Sequence, residues 1–313
     1  MIVSGVNPTD WKSRAGGTPA PTRFPEQVPN QDGAGIVDAV GPDVTGLAVG
    51  DRVWVWDAAF ERTDGTAQEL VVLPERQVVP LPDDASFDLG ASLGIPALTA
   101  HRALTANESG PEQLTPGSLD GQHVLVTGGA GAVGHAAIQL ARWAGATVIT
   151  TVSSDEKAEL ARAAGAHHVI NYRSADVAAE VAAITQHGVD TIVDVNVLAN
   201  LEADLAVIRF GGTIAVYATD SNDPLSVPIG AAMRKNVRLQ FVLTYTVTDE
   251  QKRAAVAAVS AAVADGALPV GDEHGLPLTR FALADTAAAH DAVEAGTVGK
   301  VVIDVVAEDA AAV

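Results

Sequence analysis

The chain has 313 residues, enough for about two domains of ~150 residues each, and with 48% hydrophobic and 19% charged residues it can build a core and is not a disordered chain. It has no cysteine, which excludes a disulfide scaffold, thiolate catalysis, Fe–S clusters and Cys-ligated zinc. Asp plus Glu is 39 against 19 for Lys plus Arg, and the resulting net charge of −20 repels nucleic acid and anionic membranes. No apolar run approaches the ~20 residues of a membrane span, and Met1-Ile2-Val3-Ser4-Gly5 is not a secretory leader. The protein is therefore read as soluble and cytoplasmic. The charges include 25 Asp and only 5 Lys. That balance suits a salt-loaded, halophilic cytoplasm, where 1 M salt shortens the Debye length to ~3 Å; an ordinary acidic bacterial surface is the other reading.

Residues 1–90 are rich in Gly, Pro and β-formers. Short strands are expected at Gly35–Val40, Asp51–Trp56, Glu69–Pro74 and Val78–Pro82, which suggests a small barrel or sandwich. Phe87 to Leu104 reads largely as helix despite Pro96. After a Gly-, Pro- and Ser-rich loop from Asn107 to Gln122, strands and helices alternate. Strands are expected at His123–Thr127, Thr147–Val152, His168–Ile170, Thr191–Asp194, Gly212–Tyr217 and Val237–Leu243. Helices are expected at Gly134–Ala144, Asp155–Ala164, Ala175–Gln186 and Leu201–Ile208. This spacing predicts βαβ units and a parallel sheet covered on both faces. A helix over Asp249–Ala264 and a last strand over Val301–Val306 close the chain.

The strand at 123–127 runs into Gly128-Gly129-Ala130-Gly131-Ala132-Val133-Gly134 and then a helix. Glycines at 128, 131 and 134 permit a tight turn, close approach of a pyrophosphate and close helix–sheet packing. The helix N-terminus adds free N–H groups and a positive dipole end. A purely structural turn would need the same glycines, but the strand–turn–helix setting favours a dinucleotide. The next strand ends at Thr151-Val152-Ser153-Ser154 with no carboxylate at its tip, and Lys157 follows one turn later. Hydroxyls and a lysine suit the 2′-phosphate of NADP rather than the bare ribose of NAD, and Tyr172 is a third donor; alternatively, Lys157 is a solvated residue paired with Asp155 or Glu156.

These residues resemble the medium-chain dehydrogenase/reductase superfamily, in particular its zinc-free quinone oxidoreductase branch, which includes zeta-crystallin. The resemblance is carried by Ser4-Gly5-Val6-Asn7-Pro8-Thr9-Asp10, Gly50-Asp51-Arg52-Val53, the run from Gly94 to Leu104, the glycine turn, Gly165 to Tyr172, Asn200 to Leu205 and Gly299-Lys300-Val301-Val302. It implies an α/β protein in which a GroES-like β-barrel catalytic domain, built from both chain ends, holds an inserted doubly wound Rossmann domain. The expected bounds are 1–93, 94–245 and 246–313, with the active cleft at the junction. NADPH is the implied cofactor, and a homodimer or homotetramer the implied assembly. By position, the phosphate-facing turn falls on Gly128, Ala130, Gly131, Ala132, Val133 and Gly134, and the adenosine end on Ser153, Lys157 and Tyr172. The ribose–nicotinamide side falls on Asn200, on Tyr217, Ala218, Thr219 and Asp220, and on Phe241, Val242 and Leu243. Thr99 and the segment from Asn7 to Lys12 line the nicotinamide end.

Zinc-dependent relatives carry Gly-His-Glu where this chain has Asn30-Gln31-Asp32, and Gln31 stands in place of the ligand histidine. None of the 8 histidines has ligand spacing with carboxylates, so no metal site is expected. Relatives also have a longer segment ahead of the Gly-Val-Asn-Pro motif, which contributes barrel strands; a barrel without them has an open edge. Without a metal Lewis acid, hydride transfer to a quinone or related activated carbonyl acceptor is easier to support than alcohol oxidation. Asn7 is a candidate oxyanion donor, and Tyr245 either lines the substrate cleft or simply packs. The rival readings are an NADPH-dependent enone or enoyl reductase, a zinc alcohol dehydrogenase and a non-catalytic NADPH-binding protein of crystallin or RNA-binding type; the −20 charge argues against RNA.

Overall fold

The computed structural model describes residues 1–17, 24–219, 221 and 223–306. The chain divides into two compact units. The first comprises Met1–Pro96, Pro269–Asp272 and the chain from Pro277 onward; the second comprises Ala97–Leu268 and Glu273–Leu276.

The first unit is built on one six-stranded sheet. Its strands are β1 (Val3–Val6), β2 (Asp32–Ile36), β3 (Arg52–Val55), β4 (Val78–Pro80), β11 (Leu278–Ala282) and β12 (Lys300–Asp304), in the order β11-β12-β1-β2-β3-β4. All pairs are antiparallel except β11–β12. The first and last segments of the chain meet here, Val3 opposite Asp304 and Val6 opposite Val301. Helix α1 (Pro8–Arg14) follows β1, α2 (Phe87–Gly90) follows β4, and α10 (Thr286–Glu294) packs on α1 and β12. Val6, Ala289, Val301 and Ile303 form a small core between them.

The second unit is a parallel sheet of β5 (His123–Thr127), β6 (Thr147–Val152), β7 (His168–Asn171), β8 (Val189–Asp194), β9 (Ile208–Val216) and β10 (Arg238–Phe241), in the order β10-β9-β8-β5-β6-β7. It is accompanied by helices α3 (Gly94–Leu104), α4 (Ala132–Trp143), α5 (Asp155–Ala163), α6 (Val177–Ile184), α7 (Val197–Val207), α8 (Ile229–Lys235) and α9 (Asp249–Ala264). The central strands are apolar on both faces, as a doubly covered sheet requires, and Leu125, Ile149, Ile192 and Ile214 are at most 1% exposed. The chain winds from β5 to β7 in one direction and then returns to lay β8 against the other side of β5. That reversal opens a crevice at the carboxyl ends of β5 and β8.

Several expected elements differ. Glu69–Pro74 is not a strand, since no neighbouring strand pairs with it; Val72 O instead accepts from the Arg62 guanidinium. β2 begins at Asp32 rather than Gly35, because buried Asp32, Gly33 and Ala34 pair with β1. The helix expected over 87–104 is two helices. Gly94 starts the second, so Pro96 sits in its first turn, where a missing N–H costs no helical bond. The returning segment begins at Pro269, not at 246. Helix α9 stays with the second unit, where it packs on α4 and Trp143 Nε1 donates to Asp265 Oδ2 at 2.8 Å.

Candidate functional site

Six parallel strands point their carboxyl ends the same way, and most of the expected cofactor residues follow directly on those ends. Gly128–Gly134 follows β5, Ser153 follows β6, Tyr172 follows β7, Asn200 lies one turn into the helix after β8, Tyr217 follows β9, and Val242 and Leu243 follow β10. The glycine turn is held from below. Gly128 has φ +72°, and the N–H groups of Gly128 and Gly129 donate to Thr151 O at 3.1 and 3.2 Å. A Cβ on Gly129 would lie 2.2 Å from Thr150 Oγ1, and one on Gly134 2.3 Å from Gly128 O, so the packing of the turn itself demands these two glycines.

Gly131 is different. Its φ is −87°, and a Cβ there would meet nothing closer than Gly128 O at 3.5 Å. No protein contact requires glycine at this position; what its hydrogen leaves open is the exposed space over the N-terminus of α4. No side chain caps that helix, and its first-turn N–H groups point there. The fit is to an anionic group lying flat against the backbone.

The next strand end carries the second feature. Ser154 caps α5, accepting from Lys157 N at 3.3 Å, which leaves Ser153 as the hydroxyl at the strand tip. Asp155 is tied to Asn171 Nδ2 at 3.1 Å. Tyr172 N donates to Val152 O at 3.1 Å, so the backbone of Tyr172, an exposed residue, lies at the strand end next to that of Ser153. Among the lysines, Lys12 lies over the Trp11 ring, Lys235 donates to the carbonyls of Ala206 and Ile208, Lys252 to Thr244, and Lys300 to Asn7. Lys157 alone has no partner among the described residues, not even Asp155 or Glu156. Arg173, which the sequence reading did not single out, follows Tyr172 on the same exposed stretch.

On the β8 side, Asn200 Nδ2 donates to Asp194 Oδ2 at 2.9 Å, so this amide is partly committed to the scaffold. Burial and the Asp194 charge push the Tyr217 phenol well above its usual range. Ala218 is half-buried, and Thr219 is exposed with Oγ1 donating to Ser221 O. Phe241 and Leu243 are 62% and 45% exposed, while Val242 is buried. Asp220 lies outside the described residues. Thr99 is buried on α3 of the second unit, and Lys12 belongs to the last turn of α1 in the first. Tyr245 is half-buried in the 3-10 turn Thr244–Thr246.

The first unit holds a buried polar cluster around Asn7. Lys300 Nζ donates to Asn7 Oδ1 at 2.7 Å and lies 3.6 Å from Asp32 Oδ2. Asn7 Nδ2 donates to the same Asp32 oxygen at 2.7 Å, and Ile95 N donates to the Asp32 carboxylate at 2.9 Å. Asn7 is 2% exposed with both ends of its amide engaged, which makes it a strut rather than the open donor expected from the sequence. Burial pushes the Asp32 carboxyl up and the Lys300 ammonium down, while the attraction between the two and the donors Asn7 Nδ2 and Ile95 N work the other way. Asp10 accepts from Asn7 N at 2.7 Å through one oxygen, while the other has no partner. Burial first, then the Asp32 charge, raises its carboxyl to about 8.

Gln31 is a structural residue, its Oε1 accepting from Ala59 N at 3.0 Å. His101, His135 and His290 are buried and each holds one hydrogen bond, to Leu114 N, His274 O and Asn30 Oδ1. Burial lowers all three to about 4. Among the described residues no three His, Cys, Asp or Glu side chains are grouped to hold a metal ion, and no helix is long and apolar enough to cross a membrane.

Comparison with known proteins agrees with this geometry. Residues 1–83 match the alcohol dehydrogenase GroES-like domain, and residues 132–261 the zinc-binding dehydrogenase family. The chain is 30% identical to quinone oxidoreductase of Lama guanicoe, over 96% of this chain and 86% of that protein. It is 32% identical to 2-haloacrylate reductase of a Burkholderia species, over 91% and 83%. A mycobacterial protein solved in complex with NADPH superposes with a TM-score of 0.76 at 31% identity, over 96% of this chain and 89% of that one. The chain thus belongs to the quinone oxidoreductase branch of the medium-chain dehydrogenase/reductase superfamily, the branch that works without zinc.

Proposed function

We propose that this protein is an NADPH-dependent oxidoreductase that reduces quinones and related activated carbonyl acceptors without zinc. The observation that carries the reading is the juxtaposition of an uncapped helix start behind Gly131 with an unpartnered Lys157 one strand over. The N–H groups of Ala132, Val133 and Gly134 hold the diphosphate at the positive end of α4. Lys157 and the hydroxyls of Ser153 and Tyr172, with Arg173 beside them, hold the 2′-phosphate. Asn200, Tyr217–Asp220 and Phe241–Leu243, with Thr99, orient the ribose and nicotinamide end. When bound, NADPH supplies a hydride to an electron-poor carbon; with one proton from solvent the acceptor becomes the quinol and NADP⁺ is left. The tie to 2-haloacrylate reductase supports a second reading, in which the acceptor is an activated C=C bond.

Turnover on 1,4-benzoquinone, 9,10-phenanthrenequinone and an α,β-unsaturated ketone separates the two acceptor classes. The cofactor assignment is tested by NADPH and NADH affinity for wild type and Lys157→Ala. Wild type prefers NADPH, and the substitution erodes that preference by about 1–2 kcal/mol, the scale of a charge-assisted contact. Equal wild-type affinity for both cofactors overturns it. We further infer a homodimer or homotetramer, with the free edge of β10 and the exposed Phe241, Phe210, Ile229 and Met233 as support for an interface there; a monomer in light scattering refutes it. The cytoplasm, where NADPH is abundant, is where we place the enzyme.

A further inference from the structure

Below the crevice, two acidic side chains meet where water does not reach. Asp194 ends β8 and is 0% exposed; Asp204, on α7, is 2% exposed. Asp194 accepts from Asn196 N at 2.6 Å and from Asn200 Nδ2 at 2.9 Å, and Thr127 Oγ1 on β5 lies 3.4 Å from it. Thr127 Oγ1 in turn accepts from Val195 N at 2.9 Å, and Tyr217 N from the end of β9 donates to Asp194 O at 3.1 Å. Asp194 therefore ties together the ends of β5, β8 and β9 and the first turn of α7. Asn200 and Asp204 are four residues apart, on one helix face; Asn200 donates to Asp194, and Asp204 brings a buried carboxyl to the same group, its Oδ2 holding no other partner among the described residues.

Two buried carboxyls in contact cannot both be ionised. Burial first, then the Asp194 charge, raises Asp204 to about 9, and its hydrogen bond runs to Asp194. Burial raises Asp194 too, but the donors around it, Asn196 N and Asn200 Nδ2, work the other way and favour its charged form over that of Asp204. Among the described residues, the titratable groups facing the pair are the two carboxyls themselves, from β8 and α7, and the Tyr217 phenol after β9; Thr127, from β5, does not titrate. The pair also reaches the phosphate-binding turn, because Val195 Cγ1 lies 3.2 Å from where a Cβ of Gly128 would stand.

We propose that Asp204 is a positioning residue for the cofactor: as a neutral acid it donates to Asp194 and thereby fixes the turn Val195–Asn200 against the glycine turn. This rests on the reading that the glycine turn holds NADPH. Ionised, Asp204 repels Asp194 and the turn is released.

The test uses the full chain and two readouts, NADPH affinity by fluorescence titration and amide-exchange protection of Val195–Asn200 without cofactor, each from pH 7 to pH 10. Wild type is expected to lose affinity at least fivefold, and protection with it, as the pH passes 9. Asp204→Asn, a neutral donor, keeps both across the range, and Asp204→Ser replaces it if the Asn variant does not fold. Asp204→Ala starts at pH 7 with weakened affinity and low protection. Identical pH profiles for wild type and the Asn or Ser variant overturn the proposal, as does an Ala variant with wild-type affinity and protection. If wild type binds no NADPH at any pH, the cofactor reading fails. The exchange profiles then decide alone: loss with pH in wild type only upholds the role of Asp204, and equal profiles overturn it.

Discussion

Replacing Lys300 by methionine keeps the length of the side chain and removes its charge. Lys300 is 1% exposed and Asp32 0%, with Nζ 3.6 Å from the carboxylate. At an effective dielectric constant of about 20, that separation is worth about 5 kcal/mol of attraction. The substitution also leaves Asn7 Oδ1 without its 2.7 Å donor, a bond to a charged group worth about 1.5–3 kcal/mol. Against this stands the large cost of desolvating the ammonium, which methionine does not incur. The net loss expected for breaking one side of a buried pair is about 3–5 kcal/mol, a large part of a typical total of about 5–15 kcal/mol. Urea unfolding followed by tryptophan fluorescence measures it well, because Trp11, Trp54 and Trp56 lie in the first unit and only Trp143 in the second. The midpoint should fall with little change in slope. The double variant Lys300→Met/Asp32→Asn, which removes both charges, should recover most of the loss. A single variant within about 1 kcal/mol of wild type, or a double variant as unstable as the single, refutes the reasoning.

The two glycines of the phosphate turn should respond differently to alanine. Gly134→Ala, whose Cβ would sit 2.3 Å from Gly128 O, should lower the melting temperature, whereas Gly131→Ala should melt like wild type and lose NADPH affinity; retained affinity in Gly131→Ala would mean the diphosphate does not pass over that residue. Asp10 titrates at about 8 in the folded protein and near 3.9 unfolded, so the folded state binds its proton more tightly. Its contribution to stability therefore falls as pH rises from about 4 to about 8 and is level above. Asp10→Asn should remove that slope from melting temperatures measured across the window, and parallel curves for the two proteins would contradict the assignment.

The parallel sheet is the part of the fold most legible in the sequence. β5 and β6 begin and end where the apolar runs do, because strands covered on both faces have no alternation to blur their ends. The first unit reads less well. β1 is four residues long and contains Ser4 and Gly5, and β2 opens on Asp32, so neither resembles a strand until its neighbours are in place. Glu69–Pro74 shows the converse, a run of apolar β-formers that no strand pairs. In the candidate site, Gly131 and Lys157 could be found from local spacing. The cluster of Asn7, Asp32 and Lys300 could not, since its members are 25 and 293 residues apart and meet only through the pairing of the sheet. Asp204 reads locally as one more acidic residue of an amphipathic helix, and only its burial marks it out.

The position of β12 between β1 and β11 has a consequence for biosynthesis. The main segment of the second unit, Ala97–Leu268, is continuous and can collapse while the ribosome is still at work. The first unit cannot, because β1 lacks one of its two flanking strands until residues 300–304 emerge. Until then its early segments wait as an unfinished sheet, open to mispairing and to chaperones. A premature stop that removes only the last strand should therefore be far more damaging than its length suggests, leaving a folded nucleotide module attached to a collapsed partner.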